Sequence, residues 1–159
     1  MKDNEKKQKQ IDKLQQNLRS IRQIAGWTAE RLGEKIGVTK QTIGDLENKK
    51  RPMTLTQYLA IRSILFEEIK TNPDNGTVLQ QVIEILVDKG AELDDEQYSE
   101  IKDSVETVAA TASKGKTGAP LAKLFITLLT SPGIIGVVTA LGVILSQSGT
   151  GTTSGSKNN

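Results

Sequence analysis

The 159 residues include neither cysteine nor histidine, and those two zeros decide which chemistry the chain can attempt. Thiol and disulfide chemistry, cysteine or histidine metal sites, and Ser-His or Cys-His catalysis all lack their reagent. An enzyme would have to work with carboxylates, lysines and hydroxyls alone. Aromatic residues are 3% of the chain, too few for the stacking platforms that hold single-stranded nucleic acid. The expectation is a non-enzyme without cofactor or metal.

Charge divides the chain into three. Residues 1–70 carry 15 basic and 9 acidic side chains, residues 71–113 carry 2 and 10, and residues 114–159 carry 4 lysines and no acid. Such asymmetry suggests a basic head, an acidic middle and a third segment of different character. The start, MKDNEKKQKQ, is polar and lysine-rich and lacks the apolar core of a secretory signal. It reads as a basic flexible arm over residues 1–10 or the frayed start of a helix.

Residues 11–70 show the spacing of short helices. Ile11, Leu14, Leu18, Ile21 and Ile24 recur at intervals of three and four until Gly26. Thr28 is placed to cap a second helix, with Trp27 and Leu32 as the two ends of a hydrophobic staple, and Gly37 ends it. Val38, the cap Thr39 and Ile43 repeat the device, and Leu46 continues the stripe. Gly44, inside that helix, costs roughly 1 kcal/mol relative to alanine, so close packing or close approach of a ligand should require it. Thr54-Leu55-Thr56-Gln57 then fits a capping box.

Two short helices joined through a glycine turn and followed by basic residues form the helix-turn-helix plan. From Leu14 to Leu65 the sequence resembles the phage repressor/Cro (XRE-type) family. The resemblance is carried by Leu18-Arg19-x-x-Arg22, Thr28-x-x-x-Leu32-Gly33-x-x-x-Gly37-Val38-Thr39 and Thr42-Ile43-x-x-Leu46-Glu47-Asn48. It implies that the helix after Thr39 enters the major groove with its first turn against base edges. Lys40, Gln41 and Thr42 then become base-reading candidates, and Asp45 joins them on the same face. Gln can bond adenine through N6 and N7, Lys can donate to guanine, and Asp can accept from cytosine N4. Arg19, Thr28, Thr39, Asn48, Lys49, Lys50 and Arg51 become candidates for phosphate contacts, which fix position. The resemblance also implies a structural ion pair between Arg22 and Glu47. Two departures stand out: Ala29 replaces the glutamine that in the family braces the reading side chain, and Asp45 brings negative charge to the reading face.

In the acidic middle, Val78 to Val87 mark one helix that Gly90 ends, and Leu93-Asp94-Asp95-Glu96 opens another. Tyr98, Ile101, Val105, Val108 and Ala112 follow the spacing of an a/d seam. Residues 71–113 therefore read as an acidic helical hairpin, whose seam can serve a two-fold contact or pack against the head.

After a linker over 114–120 comes the apolar segment 121–146. Leu124 to Leu145 is free of charge and contains 13 Leu, Ile, Val or Phe. As one helix it would span about 33 Å, enough for a membrane. Lys114, Lys116 and Lys123 on the head's side would leave the head cytoplasmic, anchored at the inner membrane. Ser131-Pro132-Gly133 permits another solution, two short helices buried as a hairpin in an oligomer. Residues 147–159 read as a disordered tail.

The sequence thus predicts an all-α protein: a four- or five-helix repressor/Cro-type head, an acidic hairpin and a C-terminal apolar helix. The function expected is a dimeric, membrane-tethered transcriptional regulator that binds double-stranded DNA. The alternative is a protein-interaction module, antitoxin-like or adaptor, in which the head has lost DNA binding. Repressors that cleave themselves use a Ser-Lys pair on a β-rich domain. No room for such a domain follows Thr71, and Ser104, Ser113 and Lys102 read as surface residues.

Overall fold

The computed structural model describes residues 1–143, and every regular element among them is helical. The elements run α1 (Lys2–Gln16), α2 (Leu18–Ile24), α3 (Ala29–Ile36), α4 (Lys40–Glu47), α5 (Leu55–Thr71), α6 (Pro73–Ile83), α7 (Asp95–Ser113), α8 (Ala119–Leu129) and α9 (Ile135–Ala140). A π-helical turn, Glu84–Asp88, continues α6, and a 3-10 turn, Gly90–Glu92, follows it.

The basic arm expected at residues 1–10 is the first half of α1. Asp3 and Glu5 sit in its first turn, where a helix N-terminus favours acids. Gln8 donates to Asp12 one turn on, and the Lys7 ammonium lies over the Tyr58 ring. The continuous helix expected from Ile11 to Ala25 breaks at Asn17. The Asn17 amide is buried and donates to the Lys13 carbonyl and to the Tyr98 hydroxyl, at 2.8 and 2.6 Å. An asparagine that bonds back to the preceding turn competes with the helix it sits in.

The a/d seam of the acidic middle is not available for a two-fold contact. Tyr98, Ile101, Val105, Val108 and Ala112 are all buried within the chain, because α7 packs against α2 on one side and α8 on the other. Head and middle therefore share one hydrophobic core, which runs from Ile11 to Val143. Residues 11–70 and 71–113 are layers of that core.

The apolar segment also differs from the leading expectation. No helix among the described residues is long and apolar enough to cross a membrane. The Ser131-Pro132-Gly133 turn divides the run into α8 and α9, since proline cannot continue the ladder of helix hydrogen bonds. Leu121, Phe125, Leu129, Ile134 and Val138 are buried, and α8 lies on α6 and α7. The segment is thus two short helices, and the apolar face of α8 is covered by the same chain. Ile144, Leu145 and the tail at 147–159 lie outside the described residues.

Candidate nucleic-acid interface

Helix α4 is short, and its position depends on what holds its two ends. At the start, the Thr39 hydroxyl accepts from the Thr42 amide at 3.1 Å. Ile43 and Leu46 are fully buried and anchor one face. Gly33 of α3 permits the close approach of the turn before α4, since a Cβ there would lie 2.6 Å from the Val38 carbonyl. Gly37 adopts φ 74°, the left-handed conformation that ends α3 and that glycine takes without strain. Thr28 caps α3 by accepting from the Arg31 amide at 3.0 Å.

At the far end of α4 the Glu47 carboxylate is 4% exposed and meets Arg22, 12% exposed, at 2.6 Å. Arg22 also donates to Glu47 at 3.2 Å and to the Trp27 carbonyl at 2.8 Å. The structure brings together the ion pair that the resemblance implied, and it ties α2 to α4. Arg19 joins it, donating to Glu47 and Asn48 at 3.3 and 3.1 Å. These two phosphate-contact candidates are thus engaged with each other and with Glu47.

A further clamp comes from α1. The buried Gln15 amide donates to the carbonyls of Leu46 and Arg51, at 3.0 and 2.7 Å, and its oxygen accepts from the Met53 amide at 2.9 Å. All three partners belong to α4 or the loop after it. Sequence reasoning missed Gln15, because a glutamine beside an apolar stripe ordinarily reads as solvated. Lys49 takes φ 55° in that loop, a conformation costing a lysine roughly 1–2 kcal/mol.

The outward face of α4 presents Lys40 and Gln41 to solvent, with Thr42, Gly44 and Asp45 half-buried beside them. Gln41 donates to Asp45 Oδ1 at 2.9 Å. Arg51 donates to Asp45 Oδ2 at 3.0 Å and, more weakly, to Thr42 Oγ1 at 3.4 Å. The Gln41 hydrogen bond, aided by Arg51, holds the Asp45 carboxyl below the ordinary carboxylate range. Each Asp45 oxygen thus has a partner within the chain, and the charge expected to repel a phosphate is paired. Thr42 is also occupied, with its hydroxyl 3.0 Å from that of Thr39. The cationic groups at Lys40, Lys49 and Lys50 remain exposed.

Gly44 departs from the packing half of its expectation. A Cβ there would meet nothing within 4 Å. Packing does not require the glycine.

The helix-turn-helix family matches residues 18–68, about a third of the chain. This stretch is a helix-turn-helix domain. The match supports a DNA-binding regulator of the XRE type. It covers α2 to α5 and leaves out the Gln15 clamp and everything from α6 onward. No curated protein and no solved structure matches the chain.

Proposed function

We propose that the protein is a sequence-specific transcriptional regulator that binds double-stranded DNA through α4 of its helix-turn-helix domain. One observation carries this reading: α4 is fixed from behind by Ile43, Leu46, Gln15 and the Arg22–Glu47 pair, while Lys40 and Gln41 are exposed to solvent at its leading end. A helix so held can present base-reading groups in a constant register. Lys49 and Lys50, exposed just beyond α4, suit phosphates. Open space at Gly44 fits a duplex coming close to that side of the helix.

The dimer we propose does not use α7. Its natural surface is α5, where Leu55, Leu59 and Phe66 are 51, 53 and 60% exposed. With Arg62 and Ile69 they fall at alternating intervals of four and three, the spacing of a helix–helix seam. A second copy is the occupant that this self-complementary stripe suits, since helix-turn-helix dimers bind half-sites in two-fold pairs. We place the protein in the cytoplasm beside its DNA target, and the reading needs no membrane anchor.

The test is selection of the full chain against random duplexes, followed by titration across salt. A single enriched motif, with affinity falling steeply as salt rises through counterion release, is the expected result. A pool that enriches nothing would remove this reading and leave a protein-interaction module. Sedimentation of Leu59→Asp beside the unaltered chain tests the dimer, which the substitution should dissociate.

A further inference from the structure

The reading side chain of α4 is braced by its own helix. Gln41 has two N–H donors and one amide oxygen. One N–H is held by Asp45 Oδ1 at 2.9 Å. When the held N–H is the one pointing away from the amide oxygen, the other N–H and the oxygen are left side by side on the free edge. Asp45 is itself held from the other side by the Arg51 guanidinium at 3.0 Å, and the Arg51 backbone is pinned by Gln15 at 2.7 Å. Helix α3 starts with Ala29, which has no polar side-chain atom to give. The whole brace therefore comes from α4, the loop after it and α1.

We propose that Asp45 is a positioning residue that presets Gln41 to read an adenine. The free edge of the braced amide, one acceptor beside one donor, complements adenine, whose N6 amino group donates and whose N7 accepts in the major groove. Guanine offers two acceptors there and meets the Gln41 oxygen with repulsion. Asp45 touches no base. Its two oxygens hold Gln41 and Arg51, and the guanidinium cancels the charge that would otherwise oppose a phosphate backbone. An unbraced glutamine could turn and offer both N–H groups to the two acceptors of guanine, and would lose part of the discrimination.

This inference rests on the DNA reading above, and the experiment separates the two. Full-length protein and its Gln41→Ala, Asp45→Ala and Asp45→Asn variants are each selected against random duplexes, with melting temperature as the folding control. The unaltered chain should prefer adenine at one position per half-site by about tenfold or more. Gln41→Ala should erase that preference and no other. Asp45→Ala should erase most of it while leaving binding to unrelated duplex unchanged or tighter, because Arg51 is released. Asp45→Asn keeps an amide oxygen for Gln41 and should retain the preference. An unaltered chain that selects no sequence overturns the DNA reading and this inference with it. A selected motif that Asp45→Ala leaves intact overturns the inference alone. So does a loss that falls equally on every sequence, the mark of a merely structural role, or a change at a cytosine, which would make Asp45 a direct reader.

Discussion

Helices α3, α4 and α5 of the head each start on a side-chain cap three residues away, whereas the layer behind it is tied to the head by bonds from distant positions. Thr28, Thr39 and Thr54 each accept from a backbone amide three positions on, and Thr54 with Gln57 completes a capping box. Asp94 and Gln97 form the one such box in the layer behind, at the start of α7. Asn72 caps α6 from two and three residues away, and further fixings cross the chain. Asn75 of α6 donates to the Ile24 carbonyl of α2 at 3.0 Å and accepts from the Gly118 amide at 3.1 Å. Lys89 reaches the Leu141 carbonyl at 2.7 Å, and Asn17 reaches Tyr98. Although Gln15 and the Arg22–Glu47 pair hold α4 from 25 or more residues away, the helix starts of the head are specified locally and can be recognised from a short motif. The layer behind it becomes definite only when both are folded.

The largest test of this contrast is Glu47→Ala. It leaves Arg22 largely buried without its partner, a loss of about 3–5 kcal/mol where such a pair is broken. Chemical denaturation should show one transition, shifted strongly to lower denaturant. Two separate transitions would break the contrast differently, by showing that head and rear fold independently despite their common core.

Asn75→Ala comes next. It removes the donor to Ile24 and the acceptor for Gly118 together, and each buried group left unsatisfied costs about 1–3 kcal/mol. A loss of about 2–4 kcal/mol is expected, with hydrogen exchange rising at both α2 and α8. Faster exchange confined to α8 would mean that the head does not depend on this distant bond.

Gly44→Ala is the smallest and has the opposite sign. With nothing within 4 Å to clash, the helix should gain about 1 kcal/mol. Binding to the selected duplex should weaken, because a methyl group then occupies the side that DNA approaches. Unchanged binding would place Gly44 outside the contact.

These contrasts also explain what was legible. The caps, the glycine turn, the Arg22–Glu47 pair and the buried stripe of the head all follow from residues three to five positions apart or from the resemblance. The seam from Tyr98 to Ala112 was visible as a pattern, but a pattern does not name its partner, and α2 and α8 proved to cover it. Charge-free composition between Leu124 and Leu145 was equally visible. Its meaning turned on Pro132 and on which surfaces of α6 and α7 stood open, and the second is a tertiary fact. Gln15 and the Arg51–Asp45–Gln41 chain depend on side-chain directions that spacing does not disclose.

The α8 cover has a practical consequence. A shortened chain ending before Ala119 would strip the lid from α6 and α7 and bare an oily strip far from the reading helix. Such fragments would adhere to one another, and clumping would masquerade as cooperative assembly on DNA. Only the intact polypeptide separates real pairing from that artefact.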